Sequence, residues 1–576
     1  MTRNLSASLD SVRSLVRKAP RRRQPFQPGV EALEARELLS AAPLLHVSSN
    51  GRFLVDANNQ PFYMVGDSPW EMSTNITEAE ASTFIQQRAS QGFNTLIMQA
   101  VNNVYTGAAE AHPPADTSGD LPFTKLADGN FDLSKPNAVY WQHIDNLVNL
   151  ASQNGMEVIF FPAFYGTKIF SGDYDWGTMF NDPANTANNN ANIQAWGQFL
   201  GQRYVNSDNI IWAVGGDYNS FENSASDGQL AALLQGIRQF DTRHVITMEG
   251  WDGFNSSAPR TAFANTNLRQ YMSLDGVYVS GTRPFSSLFQ TDYNRSDFGP
   301  TFLIESYYEG RTTVTDIRHE AYVGFLSGTT GFMYGAEGVW QFATGWQQQL
   351  TSVGAQEMTY FANLVNSVAW STLVPDQTGA VFQGVSTSSD YVAEFAADGS
   401  LGLAYKPSTG TGSQTFTVNM SKFSGPVTAQ WFDPTNGAFT TIGTGLANSG
   451  TQTFTSPATN SGGQNDFVLI LKASPSSPQA PAITTQPASA TVNAGQAASF
   501  SVVASGTAPL TYQWQHLVGS TWTNVGTNAA SFSITSAATA DAGSYRVIVS
   551  NSVGSATSNT ATLTVNVAPA ITSQPA

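Results

Sequence analysis

Asn209-Ile-Ile-Trp-Ala-Val-Gly-Gly-Asp217 and Thr301-Phe-Leu-Ile-Glu305 are short apolar runs that each end on a carboxylate. A buried strand that finishes on an acid is where an α/β barrel keeps its chemistry, because loops at the C-terminal strand ends build the active site. Working outward, runs of the same kind stand near residues 62, 95, 156, 244, 276 and 331, making eight in all. Most are apolar on both faces, as buried parallel strands are. Helical patterns alternate with them. Thr77-Glu-Ala-Glu80 is a capping box opening a helix to about Gln91. Ser134-Lys-Pro136 is expected to open another, in which Tyr140, Ile144, Leu147 and Ala151 share a face. Further helices are expected before residue 209, before residue 244, over about 315–327 and over about 354–370. The expectation is a (β/α)8 TIM barrel over residues 44–374. Asp217 and Glu305 lie 88 residues apart, three βα units at roughly 30 residues each, which puts them at the ends of strands four and seven.

The other segments differ in character. Residues 1–43 hold eight Lys/Arg against four Asp/Glu, with Arg21-Arg22-Arg23 ahead of a Gln/Pro stretch, and read as a basic disordered export or sorting segment. Residues 375–473 alternate polar and apolar between Gly/Ser/Thr/Asn turns, a β-sandwich pattern. Residues 474–481 are a Pro/Ser linker. Residues 482–567 read as a second all-β module, with Trp514 and Asp541-Ala-Gly-Ser-Tyr545-Arg-Val547. Pro481-Ala-Ile-Thr-Thr-Gln-Pro-Ala488 recurs as Pro569-Ala-Ile-Thr-Ser-Gln-Pro-Ala576, so residues 568–576 are expected to begin another repeat of the module.

Composition removes several function classes. Net charge is −16, and about −20 lies beyond residue 43, which argues against nucleic acid as a partner. With no Cys, disulfides, zinc-thiolate and iron–sulfur sites are excluded. No run approaches 18 apolar residues, so no transmembrane span is expected. His319-Glu320 lacks a second His at zincin spacing, and there is no Gly-x-Ser-x-Gly elbow, P-loop or dinucleotide fingerprint. No metal or cofactor is expected.

Glycoside hydrolysis needs two carboxylates flanking one bond, one to protonate the leaving oxygen and one to attack carbon or activate water. Asp217 and Glu305 fit that pattern. A helix N-cap for Asp217 and an ion pair with Arg311 for Glu305 stand as structural alternatives. Candidate substrate contacts are Asp67 and Trp70 after strand one, Asn102 and Asn103 after strand two, and Phe164-Tyr165 after strand three. Glu249 and Trp251 after strand five, Tyr307 after strand seven and Trp340 after strand eight complete the set.

Residues 50–473 resemble the apiosidase-like glycoside hydrolases, a (β/α)8 family followed by a β-sandwich. Arg52-Phe-Leu54, Gly66-Asp-Ser-Pro-Trp70, Gly92-Phe-Asn94, Gly215-Gly-Asp217, Tyr308-Glu-Gly310 and Gly331–Gly335 carry the resemblance in the barrel. Leu373-Val-Pro-Asp376, Tyr405-Lys-Pro407, Trp431-Phe-Asp-Pro434 and Asp466-Phe-Val-Leu469 carry it in the sandwich, a domain type sometimes labelled collagen-binding. The resemblance implies Asp217 as acid/base and Glu305 as nucleophile, with retention of configuration. Met248-Glu249-Gly250-Trp251 stands where relatives carry His-Pro. Residues 482–567 look like an immunoglobulin-type domain with Val547 at the usual Cys position. Leu33-Glu-Ala-Arg-Glu-Leu-Leu-Ser40 resembles the LEPR-XLL motif of exported and surface bacterial proteins, departing at Ala35.

The expectation is therefore an extracellular or cell-surface glycoside hydrolase acting on O-glycosidic bonds of a complex polysaccharide, with its β-modules contacting glycan or the cell surface. The alternative is a non-catalytic surface protein that binds glycan or collagen.

Overall fold

A computed structural model of the protein describes residues 41–102, 115–127, 131–164, 189–218, 224–250, 261–279, 284–295, 299–305, 307–474 and 479–570. Asp217, Tyr218 and residues 224–226 are described by their backbone alone. The basic segment and its LEPR-XLL-like motif lie outside the described residues.

Eight parallel strands build the first domain. They are β1 Met64–Asp67, β2 Thr95–Val101, β3 Glu157–Ala163 and β4 Ile210–Tyr218. The second half is β5 Ile246–Gly250, β6 Asp275–Tyr278, β7 Thr301–Glu305 and β8 Gly331–Ala336. Their spatial order is β5-β4-β3-β2-β1-β8-β7-β6. The Ser273 and Leu274 amides at the entrance to β6 both donate to the Ile246 carbonyl of β5, at 2.9 and 3.2 Å, and draw the two edges together. The expected barrel is thus observed.

Seven α-helices of two or more turns among the described residues surround it: α1 Glu78–Ser90, α2 Ala138–Gln153, α3 Asn190–Tyr204, α4 Ser224–Arg238, α5 Ser286–Tyr293, α6 Val314–Phe325 and α7 Val353–Asn366. The expected capping box opens α1: Thr77 Oγ1 accepts from the Glu80 amide and Glu80 Oε2 from the Thr77 amide. The opening expected at Ser134 needs correction. Phe131–Pro136 is a strand paired with Phe123–Lys125. Asn137 is the true cap, its Oδ1 accepting from the Val139 amide at 3.1 Å.

Side chains alternate along the strands with period two. Val65, Leu96, Met98, Val158, Phe160 and Trp212 point out to the helix layer. Met64, Ile97, Ile159, Phe161, Ile211, Ala213, Phe302, Ile304 and Met333 fill the barrel. A small antiparallel meander (His46–Val47, Leu54–Val55 and Pro61–Phe62) contributes Leu45 and Leu54 to the same inner cluster and closes the floor. The floor is therefore packed, and chemistry is confined to the opposite end.

Residues 373–473 form a six-stranded and a three-stranded antiparallel sheet over a shared apolar core. This sandwich is fastened to the barrel by buried polar contacts. Arg318 of α6 donates from Nε and NH2 to the Asp466 carboxylate at 2.8 and 3.0 Å, and from NH1 to Glu357 of α7 at 2.7 Å. Tyr405 donates to Asp466 at 3.0 Å and stacks on Tyr322 of α6. Asp390 of the sandwich accepts from the Phe285 and Ser286 amides at the start of α5. In the last domain Trp514 is fully buried and pairs across the sheet with Val547. The Tyr545 hydroxyl donates to the Asp541 carbonyl at 2.7 Å, the corner contact expected of an immunoglobulin-type fold.

Candidate active site

The mouth of the barrel is built around one tyrosine. Tyr308 follows β7 in a two-residue strand, Tyr308–Glu309, that pairs with Gly335 and Ala336 of β8. A side chain at Gly335 would strike the Tyr308 ring at 2.7 Å, so the glycine lets the ring lie over the barrel. Tyr308 belongs to the inner cluster together with Trp70, Phe161 and Phe164. The Trp70 indole N–H donates to the Tyr308 hydroxyl at 2.7 Å. The Trp70 ring is wedged edge-on between Phe161 at 5.0 Å and Phe164 at 5.6 Å.

Burial pushes the Tyr308 phenol well above its ordinary value, and the Glu305 carboxylate adds to the push; the Trp70 donor opposes it, and Glu249 adds further. The Glu305 side chain lies close enough to act on the Tyr308 phenol. Because Trp70 donates to the phenol oxygen, the phenol's own hydrogen is left to be given to an acceptor. Two acids from different strands therefore face one protonated phenol.

Register breaks explain how the acids reach this position. Along β7, Ile304 faces inward and strict alternation would turn Glu305 out toward the helices. The pairing instead runs Val277↔Leu303 and then Tyr278↔Glu305, with one extra residue on β7. Such a bulge re-aims the side chain that follows it. A second break separates Glu249↔Gly215 from Gly250↔Tyr218, and the residues it leaves over are Gly216 and Asp217. Gly215 and Gly216 sit at φ 93° and 87°, a region that favours glycine. A Cβ on Gly216 would meet the Phe164 ring at 2.2 Å.

Glu305 ends β7 half-buried, and Glu249 is fully buried near the end of β5, on the inward parity shared with Thr247. Asp217 lies on the final stretch of β4, inside the strand and ahead of the Ser224 that opens α4, so it is not that helix's N-cap. The side chain of Asp217 lies outside the described residues, as do Trp251, Asn103 and Tyr165. Trp340 follows β8, packs on the inner cluster, and has the Arg311 guanidinium 5.7 Å from its ring centre. Arg311 pairs with Glu337 through Nε and NH2, and lies 5.3 Å from the Tyr308 ring centre. Burial would lower Arg311, but Glu337, with smaller contributions from Tyr308 and Glu305, raises it above its ordinary value.

Several expected contacts need correction. Asp67 obeys the β1 alternation and faces outward, fully buried, with Arg88 Nε of α1 at 2.5 Å and the Ser68 amide at 2.8 Å. Burial raises its carboxyl and Arg88 opposes the shift. Asn102 is also buried, its amide consumed by Ser73 and Thr74 of a helical turn, Met72–Asn75. Tyr307 packs edge-on against Phe285 in the outer layer. Trp70 and Phe164 are at the site but are 3% and 5% exposed, which suits support better than a platform for a sugar ring. Glu305 does not take Arg311 as its ion-pair partner, because Glu337 does. Tyr308 was not among the expected site residues; Tyr308-Glu-Gly310 stood out only as a motif. Among the described residues no group of three or more His, Asp or Glu could hold a metal ion, and no helix is long and apolar enough to cross a membrane.

An eight-stranded parallel barrel with acids gathered at its C-terminal strand ends is an architecture that glycoside hydrolases use. The family model described as the apiosidase-like catalytic domain matches residues 48–372, and the chain belongs to that family. Residues 374–472 match a family described as a collagen-binding domain of a collagenase, and residues 481–565 match the immunoglobulin I-set domain. Solved structures sharing the fold over 75% of this chain include a glycoside hydrolase (23% identity, TM-score 0.60, 97% of that chain covered). Another is a glycoside hydrolase family 5 from Bacteroides vulgatus ATCC 8482 (22% identity, TM-score 0.61, 95% of that chain covered over the same 75% of this one). A stretch of 101 residues is 38% identical to Endoglucanase C of Cellulomonas fimi; it is 17% of this chain and spans only 9% of that relative's length.

Proposed function

We propose that this glycosidase is exported and cleaves O-glycosidic bonds of a complex polysaccharide with retention of configuration. Glu305 is the nucleophile and Asp217 the acid/base. The observation that carries the reading is the bulge that turns Glu305 inward against a phenol held by Trp70. In the first step a Glu305 oxygen attacks the anomeric carbon, the bond to the leaving oxygen breaks, and Asp217 delivers its proton to that oxygen. In the second, Asp217 takes a proton from water, whose oxygen displaces Glu305 from carbon. Tyr308 hydrogen-bonds Glu305 and fixes its attacking lobe. Glu249, buried beside them, selects for a sugar that offers it a hydroxyl. Apiose-like or other side-chain sugars of plant-type or algal polysaccharide are the substrate class, and the β-modules hold the enzyme near glycan or the cell surface.

The test is a glycan-panel digest with the full chain, following the anomer first released by NMR. Release of a sugar with the starting anomeric configuration supports retention; the opposite anomer overturns the role given to Glu305. No release from any glycan, together with binding of the chain to glycan or collagen, would favour the surface-adhesion alternative. Export is tested by fractionating the source cells, and retention of all the protein in the cytoplasm would overturn it.

A further inference from the structure

The barrel and the sandwich enclose a cavity of about 150 Å³ at the end of the barrel remote from the acids. Its walls include Arg52 and Phe53 of the floor meander, Tyr293 at the end of α5, Trp370 and Ser371 of the connecting turn, and Glu394 of the sandwich. Gly328 and Thr329, which also line it, lead into the N-terminal end of β8, whereas Glu249 and Glu305 stand at C-terminal strand ends. An occupant of this cavity cannot take part in bond cleavage.

We infer that this cavity is a second, non-catalytic binding site for one sugar residue of a glycan. A simple packing void is lined by apolar atoms and stays dry. This one has aromatic walls and polar tips. Trp370 and Phe53 stand edge-to-face at 5.5 Å, and Tyr293 carries the Arg52 guanidinium 4.0 Å above its ring centre. The Thr329 hydroxyl is tied to Tyr63 at 3.2 Å, and Asn50, Ser371 and Thr372 add further polar groups. Glu394 is 3% exposed, and burial pushes its carboxyl well above the ordinary range, opposed by a backbone contact from Gly328. A neutral carboxyl both donates and accepts, as a sugar hydroxyl does. It would serve a bound cation poorly, and a cation already sits in the wall as Arg52. At about 30 Å³ per water the volume holds roughly five waters, room to seat one end of a sugar ring. Val374 lines the cavity and is 45% exposed, so the cavity reaches the surface and a chain end could enter. The site would anchor a glycan strand while a separate one is cut, and it stands whether or not the catalytic assignment does.

The experiment is saturation-transfer NMR of the full chain with D-xylose, D-galactose, L-rhamnose, L-arabinose and D-apiose in turn. Ser371→Trp fills the opening. The expected result is transfer to at least one sugar in the wild type and binding weaker by about tenfold or more in Ser371→Trp, with an unchanged unfolding temperature. No transfer to any sugar in the wild type overturns the proposal, as does transfer that Ser371→Trp leaves undiminished for every sugar. Should Ser371→Trp unfold, the far wall decides: Glu394→Leu must reduce transfer while Glu394→Gln keeps it, and undiminished transfer in Glu394→Leu overturns the site. Glu305→Gln serves as the background throughout and stops turnover; because its catalytic mouth still binds sugar, the second site is read as the transfer lost between Glu305→Gln and Glu305→Gln/Ser371→Trp.

Discussion

Trp70 donates its indole N–H to the Tyr308 hydroxyl at 2.7 Å, so the phenol beside Glu305 is oriented by a residue that follows β1, at the other end of the barrel's chain path. Tyr308→Phe removes the phenol beside Glu305 and leaves the Trp70 N–H without its acceptor. A loss of about 10²-fold in kcat is expected, by analogy with removal of one preorganised donor. Stability should fall by about 1–3 kcal/mol, the cost of stranding a buried polar group. Trp70→Phe should cost less activity, since the Tyr308 phenol stays beside Glu305. Steady-state kinetics and thermal melts on both variants check the order.

Glu305→Gln should abolish turnover, because the amide cannot form the ester intermediate. Asp217→Asn should lose about 10²–10⁴-fold on substrates with poor leaving groups and much less on activated aryl glycosides. Azide should restore the Asp217→Asn rate and yield a glycosyl azide of retained configuration. Wild-type rates in both variants would remove the two acids from the mechanism.

Gly216→Ala should disturb the site through the backbone. The residue has φ 87°, and its new methyl would meet Phe164 at 2.2 Å. Left-handed strain of about 1–2 kcal/mol and overpacking of about 1–3 kcal/mol are expected together. Activity should fall further than stability alone explains, since Asp217 is the next residue. Adding Phe164→Ala should recover part of the stability; no recovery would show that the clash is not the cause.

Stability should decline as pH rises through neutrality. Burial pushes Glu71, Glu357 and Asp275 up to about 7, and Asp292 up to about 8. Each folded value exceeds the unfolded one, so the folded state holds extra protons; that contribution is complete below the ordinary carboxylate range and is lost as pH climbs through about 7–8. Asp241 works in the other direction. His244 and Trp212 beside it outweigh burial and lower it to about 2, so its contribution is lost only as pH falls toward that value. Melting temperature followed across this range should peak on the mildly acidic side, and Glu71→Gln should flatten the alkaline limb.

Arg318→Met should couple poorly tolerated burial to domain separation. Asp466 and Glu357 would be left buried beside an apolar chain, a loss of about 3–5 kcal/mol. Calorimetry should then resolve barrel and sandwich as separate transitions, with a single shared transition expected for the wild type.

The sequence spoke clearly wherever one physical rule acted alone. Eight apolar runs predicted eight strands, and Thr77 with Glu80 predicted a cap that is present. Asp67 was misread although the rule was at hand: Met64 and Gly66 face inward, so the next residue faces out to Arg88. Glu305 shows the converse. Alternation alone would turn it away from the site, and only the bulge beside Tyr278 brings it back, a feature of strand pairing that no local pattern encodes. Asn102 and Tyr308 lay beyond reach for a related reason. Whether a polar side chain at a strand end is consumed by a neighbour depends on Ser73 and Thr74 in one case and on Trp70 in the other, all distant along the fold or the chain.

The Val547 that sits against Trp514 has a consequence for how the protein is made. The usual immunoglobulin-type core waits for an oxidant to close its bridge, whereas this one is complete once the chain has collapsed. A module of this kind can be copied along a polypeptide with no thiols to mispair, and it reaches its final form equally well in a reducing cytosol and in open medium.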